Sequence, residues 1–318
     1  MIDFLTIGEP LVVFAATETN KSLADAKTFH KYLAGAELNV AIGLARLGFS
    51  TEYLSRVGSD PLGQFIISEL KNKKVGAKKV TIDYTAWTGF EMKQRVTAGD
   101  PNTFYFRKNS AATRLSTEIV EKIDFSEIKY LHLTGIYPAI SDNALKVAEL
   151  LLFKARRAGT TIIFDPNLRP ALWQNETKMV EAVNTLASKA DIFIPGIKEA
   201  HLLTGLSDES EISDYYLQKD CKSIIIKMGA SGAYLKDNNN TEFIPGYHVK
   251  KVIDTVGAGD GFAVGLISGL LDNLSLSKAI LRGNAIGALA VQSSGDSDGY
   301  PTREQLDSFV INNLPTFE

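Results

Sequence analysis

Short runs rich in β-branched and aromatic residues recur along this chain, at about 3–8, 51–57, 129–134, 160–164, 191–194 and 223–227. Helical patterns, among them Ala41–Leu47, Ala144–Ala158, Thr177–Ala190 and Phe262–Leu271, fill the intervals. The runs are almost wholly apolar, and a strand tolerates that only where both of its faces are covered. Strand and helix alternating in this way predict an α/β domain built on a mostly parallel sheet with helices on both sides. One stretch breaks the rhythm. From Lys78 to Lys108 the chain reads KKVTIDYTAWTGFEMKQRVTAGDPNTFYFRK, in which polar and apolar residues alternate and Gly99-Asp100-Pro101-Asn102 signals a turn. That pattern predicts a small antiparallel sheet with one wet face, standing off the main body as a lid. Residues of about 10–37 and 78–110 are expected to form it.

At 318 residues the chain suits one large domain with this appendage, and neither an internal repeat nor a long linker divides it. The 34 Lys+Arg against 37 Asp+Glu leave a net charge of −3. No bulk field therefore draws nucleic acid, and an anionic ligand has to be held by local geometry. Cys221 is the single cysteine, which excludes an intramolecular disulfide and a thiolate metal cage and suits a reducing cytoplasm. The first segment, MIDFLTIGEPLVVFAA, carries Asp3 and Glu9 without a basic start, so it reads as a strand and not as a signal peptide. No apolar run approaches the roughly 20 residues of a membrane helix.

The segment richest in chemistry is Asp254-Thr255-Val256-Gly257-Ala258-Gly259-Asp260-Gly261-Phe262, which opens the apolar helix FAVGLISGLL. Glycines ahead of a helix let several unpaired backbone N–H groups point at one spot, and the helix dipole makes that spot attractive to anions. Asp260 has a plain explanation there, since aspartate is a favoured N-cap, although Asp254 or Thr255 could cap equally well. It also has a chemical one. A donor-rich turn neutralises a transferring phosphoryl group while the carboxylate takes the proton of an attacking hydroxyl. No G-x-x-x-x-G-K-[ST] occurs, nor G-x-G-x-x-G after the first strand, which disfavours a P-loop enzyme and a nicotinamide dehydrogenase.

The DTVGAGD segment followed by an apolar helix resembles the C-terminal signature of the ribokinase-like (PfkB) carbohydrate kinases. The N-terminal half agrees: Ala34-Gly35-Ala36-Glu37-Leu38-Asn39-Val40-Ala41, Leu44-Ala45-Arg46-Leu47-Gly48, Arg56-Val57-Gly58-Ser59-Asp60 and Gly63 resemble the family's other signature in order and spacing. The resemblance covers essentially the whole chain. It implies a three-layer α/β/α sandwich with a β-sheet lid, ATP as phosphoryl donor with Mg2+, and Asp260 as general base. Gly257, Ala258 and Gly259 would supply the anion hole. A monovalent-cation activator is left open. In relatives the edges of such a lid often pair between subunits, so a homo-oligomer is expected.

Two arginines bear on the acceptor. The strand period of two puts Tyr105 and Arg107 on one face of Thr103–Lys108. In Asp165-Pro166-Asn167-Leu168-Arg169-Pro170 the prolines bias Asp165 and Arg169 toward extended geometry, so Asp165, Asn167 and Arg169 are expected to project to one side, where open α/β sheets bind ligands. Each arginine alone reads as a solvated charge or a structural ion pair. Together they suit an acidic sugar, because a guanidinium fork grips a carboxylate and finds little in a neutral hexose. The segments YFRKNSAAT, LHLTGI, DPNLRPALW and SGDSDGYP resemble those of family members that phosphorylate 2-keto-3-deoxygluconate on its 6-hydroxyl. That similarity places Gly35 and Asn39 on the sugar, Tyr105, Arg107 and Arg169 at its carboxylate, and Asp296 on an outlying hydroxyl. Other acceptors of the family, fructose or a 5-keto sugar acid, remain alternatives, as does a non-catalytic sensor of sugar acid or nucleotide.

The buried strand Ser223–Lys227 runs into the glycine-punctuated turn Met228-Gly229-Ala230-Ser231-Gly232, which a bland hairpin explains by itself. The family places the nucleotide against this turn. Its expected contacts are Asn167, Gly196, Lys227, Gly229, Gly232, Gly257, Gly259 and Asn284. Gly196-Ile197-Lys198-Glu199 departs from the family's Asn-x-x-Glu, which is linked to magnesium and phosphate positioning, so no protein ligand for the metal is named. The four histidines, His30, His132, His201 and His248, read as packing or surface residues.

Overall fold

The computed structural model describes residues 1–318 except 98, 100, 294, 314 and 316–318. In chain order the strands are β1 (Ile2–Ile7), β2 (Leu11–Thr19), β3 (Phe29–Ala34), β4 (Thr51–Gly58), β5 (Val80–Asp83), β6 (Phe90–Arg95), β7 (Thr103–Phe106), β8 (Ile128–Thr134), β9 (Thr161–Asp165), β10 (Ile192–Phe193), β11 (Ser223–Lys227), β12 (Gly232–Asp237) and β13 (Thr241–Pro245). The helices are α1 (Ala36–Arg46), α2 (Pro61–Asn72), α3 (Thr117–Glu121), α4 (Ile136–Ala139), α5 (Asp142–Ala158), α6 (Glu176–Ala187), α7 (Ile197–Thr204), α8 (Glu209–Leu217), α9 (Ala258–Leu271), α10 (Leu276–Ala290) and α11 (Arg303–Asn312).

Nine strands form the large sheet in the order β13-β12-β11-β10-β9-β8-β1-β4-β5. It is parallel from β5 to β11, and the β12–β13 hairpin adds two antiparallel strands at the far edge. Successive side chains of the inner strands enter opposite cores. Phe4, Ile163 and Ile225 pack with α1, α9 and α10, while Leu5, Ile162 and Ile224 pack with α5, α6 and α8. That division is why the strand runs read as continuously apolar. Helices α9 and α10 lie backbone to backbone: a Cβ at Gly265 would sit 2.4 Å from the Arg282 carbonyl oxygen, so glycine is required for the approach.

The smaller sheet has the order β3-β2-β6-β7, antiparallel except where β2 meets β6. The register carries Tyr32, Val13, Glu91 and Tyr105 across all four strands on one face. The other face carries Phe14, Phe90 and Phe106, with the Phe90 and Phe106 rings stacked at 4.6 Å.

One expectation is corrected here. Val80–Asp83, assigned to the lid from its alternating pattern, instead pairs parallel with β4 as the edge of the large sheet. An edge strand is covered on fewer sides, so it carries the same polar alternation as a half-wet sheet. The turn expected at Gly99–Asn102 includes Asp100, which lies outside the described residues.

Candidate active site

Helix α9 begins where the chain turns through Gly257, which has φ 78 and whose Cβ would lie 1.9 Å from the Asp296 carbonyl oxygen. No side chain fits there, and only glycine adopts the left-handed turn at no cost. Asp254 shapes the approach, its Oδ1 accepting the Val256 N–H at 3.0 Å. Asp260 is not a cap. It stands in the first turn of α9, is buried, and directs its carboxylate at two amides: Oδ2 accepts from Asn39 Nδ2 at 2.9 Å and Oδ1 from Asn167 Nδ2 at 3.3 Å. Burial pushes its pKa up to about 7; Asp165 and Glu37 add to the rise, while the Asn39 hydrogen bond and Lys227 oppose it. A carboxylate so tuned exchanges its proton near neutrality, as a general base must.

Lys227, at the end of β11, donates to Asp165 Oδ2 at 2.6 Å; the aspartate is buried and the lysine partly so. Burial alone would lower the lysine pKa, but Asp165, Glu199 and Asp260 outweigh it and hold the ammonium charged. This cation reaches α9, since its Nζ lies 3.7 Å from where a Cβ on Gly259 would be. From Lys227 and Gly259 a cavity of about 670 Å³ opens between the turn after β11, β13, α9 and α10. Of the expected nucleotide contacts, Lys227, Gly229, Gly232, Gly259 and Asn284 line it, and Val252, Phe262, Ala288 and Val291 give it an apolar wall. Gly229 (φ 61) and Gly232 (φ 121) need their freedom, and a Cβ on Gly232 would meet the Ile244 carbonyl oxygen at 2.1 Å. Asn284 is anchored by its amide to the carbonyls of Ile244 and Pro245 at 3.2 and 2.9 Å.

Asn167, Gly196 and Gly257 are not among the lining residues. Asn167 turns to Asp260 from a left-handed backbone, φ 36. Proline acts on its immediate neighbour and left Asn167 free. The side chains of Asp165, Asn167 and Arg169 accordingly do not form one row: Asp165 binds Lys227, and the exposed Arg169 folds back to donate to Asn167 Oδ1 at 2.7 Å. Gly196 caps α7, its N–H held by Glu199 Oε2 at 2.7 Å.

On the side of the smaller sheet, Arg107 forms a two-point pair with Glu9, Nε at 2.7 Å and Nη2 at 2.5 Å from Oε2. Ser110 Oγ donates to the other Glu9 oxygen. Tyr105 is half-exposed, and partial burial raises its pKa, with Glu91 and Asp296 adding to the rise and Arg169 and Arg107 opposing it. Glu91, Arg169, Arg107 and Asp296 are thus the charged groups that act on the Tyr105 phenol. Asp296 is held above the usual carboxylate range by burial, with Asp254 and Asp298 adding to the effect and Lys93 and Asn39 opposing it. Gly35 (φ 141) starts α1 and points Asn39 inward from the next turn. Sequence reading missed Glu9, Glu91 and Tyr32. The signal for Glu9 was present: it is an acid set between the apolar runs that become β1 and β2, and such an acid has to find a cation when it is buried.

Magnesium, the metal implied by the family, finds no ready cage. Among the described residues no group of three or more His, Cys, Asp or Glu side chains converges to hold an ion, Asp165 being engaged by Lys227 and Glu199 by two backbone amides. The donor set fits a metal that is carried by nucleotide oxygens and waters, as Mg2+ commonly is.

The model of the pfkB family carbohydrate kinases matches residues 1–303. The chain is 49% identical over 310 residues to the 2-dehydro-3-deoxygluconokinase of Bacillus subtilis (strain 168), covering 97% of this chain and 95% of that one. Among solved structures it superimposes on a PfkB protein from Polaromonas sp. JS666 with TM-score 0.89 and 40% identity, over 97% of this chain and 100% of the other. The fold also matches a fructokinase from Vibrio cholerae O395, solved with fructose, ADP and calcium, at TM-score 0.83 and 24% identity over 97% and 99% of the two chains.

Proposed function

The chain belongs to the pfkB family of carbohydrate kinases, and within that family we propose that it phosphorylates 2-keto-3-deoxygluconate on the 6-hydroxyl to give 2-keto-3-deoxy-6-phosphogluconate. The observation that carries the reading is the place of Asp260: a buried carboxylate in the first turn of α9, beside the Lys227–Gly259 cavity, with the Asn39 and Asn167 amides on its two oxygens. The identity to the Bacillus subtilis 2-dehydro-3-deoxygluconokinase supports the same acceptor.

ATP occupies the cavity, its base against the apolar wall and its phosphates toward Lys227 and the first amides of α9. The sugar acid lies under the smaller sheet, which acts as a lid, its carboxylate between Arg107 and Arg169 and its 6-hydroxyl at Asp260. Asp260 accepts the hydroxyl proton as the oxygen attacks the γ-phosphorus. A new O–P bond forms, the bond from the γ-phosphorus to the bridging oxygen breaks, and ADP leaves with that electron pair. The helix N-terminus and the Lys227 ammonium face the charge that develops. Mg2+ bound to ATP would supply further charge neutralisation along the phosphates.

An ATP-coupled assay comparing 2-keto-3-deoxygluconate with fructose, ribose and 5-keto sugar acids tests the acceptor. The expected kcat/KM is highest for 2-keto-3-deoxygluconate. Faster turnover of a neutral sugar would remove the sugar-acid reading and leave the kinase intact.

A further inference from the structure

Asp260 is oriented by a loop that is fastened from outside the reaction space. Asn167 sits at φ 36, left-handed for a residue with a side chain, a conformation that persists only where its surroundings impose it. From there its Nδ2 reaches Asp260 Oδ1 at 3.3 Å. The next residue supplies the restraint. The Leu168 N–H donates to Glu199 Oε1 at 2.7 Å, and the other oxygen of Glu199 accepts the Gly196 N–H at the start of α7, also at 2.7 Å. One carboxylate thus ties the loop after β9 to the helix after β10. Two charge-assisted bonds of that length are among the stronger restraints a side chain can apply to backbone.

We propose that Glu199 is a positioning residue that clamps Leu168, holds Asn167 in its left-handed conformation, and thereby keeps the Asn167 amide on Asp260 in the orientation the reaction uses. The proposal rests on Asp260 being the base. It assigns Glu199 a restraint on the protein's own backbone. Each of its two oxygens accepts a backbone N–H, one from Leu168 and one from Gly196.

The consequence is readable in pH. Asp260 is faced by Asp165 and Lys227 from β9 and β11, by Glu37 and Asn39 from α1, and by Tyr300 from the segment before α11. Glu199 also acts on Asp165 and Lys227 through its charge, so the shift of the acidic limb in Asn167→Ala, which leaves both of those groups in place, is the one that reports the Asn167 amide. Losing a donor to a carboxylate moves that limb to higher pH.

The experiment compares Glu199→Gln, Asn167→Ala and the double variant, each checked for its thermal midpoint, in kcat, in KM for ATP, in Mg2+ requirement and in the pH profile. Glu199→Gln is expected to lower kcat by about 10²-fold, the scale of a misplaced catalytic group. KM for ATP and the Mg2+ requirement stay close to wild type, and the acidic limb moves up in both single variants. The double variant is no slower than Asn167→Ala, because the two act through one contact. A raised Mg2+ requirement with an unmoved acidic limb would overturn the proposal, as would multiplying effects in the double variant. Should Glu199→Gln not fold, Asn167→Ala decides alone: an unmoved limb there removes the last link of the chain. Undiminished turnover in Asp260→Asn is a different result, since it sinks the base itself.

Discussion

Asp260 sits where burial and neighbouring carboxylates oppose its ionisation, and this has two measurable consequences. The base works only when deprotonated, so kcat/KM is expected to fall as pH drops through about 7, the raised pKa of this group, and a pH profile of the unliganded enzyme's kcat/KM checks it. The same shift acts on stability with the opposite preference. The folded state binds this proton more tightly than the unfolded state, so the stability it contributes is fully present below about 3.8 and is lost as pH rises to about 7. Asp260→Asn removes the ionisable group and keeps the shape. It should lower turnover about 10²-fold or more and raise the thermal midpoint over wild type at pH 8, by a margin that shrinks toward pH 4. Undiminished turnover would reduce Asp260 to a structural residue. Glu9 and Arg107 make the contrasting case, because their side chains are 1% and 12% exposed and each needs the other. Arg107→Met strands a buried carboxylate and should cost about 3–5 kcal/mol of stability along with a higher KM for the sugar acid. Adding Glu9→Gln should recover the stability and not the KM, and recovery of both would detach Arg107 from substrate binding.

At the scale of the element, the turn into α9 separates glycines that build the helix start from the glycine that leaves room beside it. Gly257→Ala would drive a methyl into the Asp296 carbonyl at 1.9 Å in a left-handed conformation, so both the thermal midpoint and turnover should fall. Gly259→Ala meets nothing nearer than Lys227 Nζ at 3.7 Å, so the fold should hold while the methyl occupies phosphate space. Its expected signature is a raised KM for ATP with a normal melting curve, and equal losses of stability in the two variants would argue against a phosphate site there. The turn and the acid that follows it were legible in the sequence because glycine spacing before an apolar helix is a local signal. The parallel sheet was legible for a similar reason, its strands being buried on two sides and therefore unbroken in hydrophobicity. What local pattern did not carry was partnership across distance. Val80–Asp83 alternates like a lid strand and pairs with β4. Asn167 is left-handed, and the residue after it is held by Glu199, thirty-one positions further along the chain. The pairing of Glu9 with Arg107 spans two strands of the smaller sheet's surroundings that nothing in either local sequence connects.

The whole molecule divides the two ligands between its parts, and that division can be measured. The nucleotide cavity is walled entirely by the turn after β11, β13, the segment leading to α9, α9 itself and α10, all attached to the large sheet. The space by Tyr105 has a different construction. Arg107 and Tyr105 come from β7 and the residues just after it, whereas Arg169 and Asp296 come from loops of the main body. A carboxylate gripped by both arginines would tie the smaller sheet to the larger one, while a nucleotide would stiffen only the body it already lies in. Amide hydrogen exchange separates these outcomes. At about 100 times its Kd, a ligand that must leave before a segment opens slows exchange there by about 100-fold. 2-Keto-3-deoxygluconate is therefore expected to protect Phe90–Arg95 and Thr103–Phe106. A non-hydrolysable ATP analogue is expected to protect residues 229–232 and 283–291 and leave the smaller sheet as it was. Protection of the smaller sheet by nucleotide alone, or none of it by the sugar acid, would mean that this sheet does not close on the acceptor, and the two arginines would then have to bind it without moving.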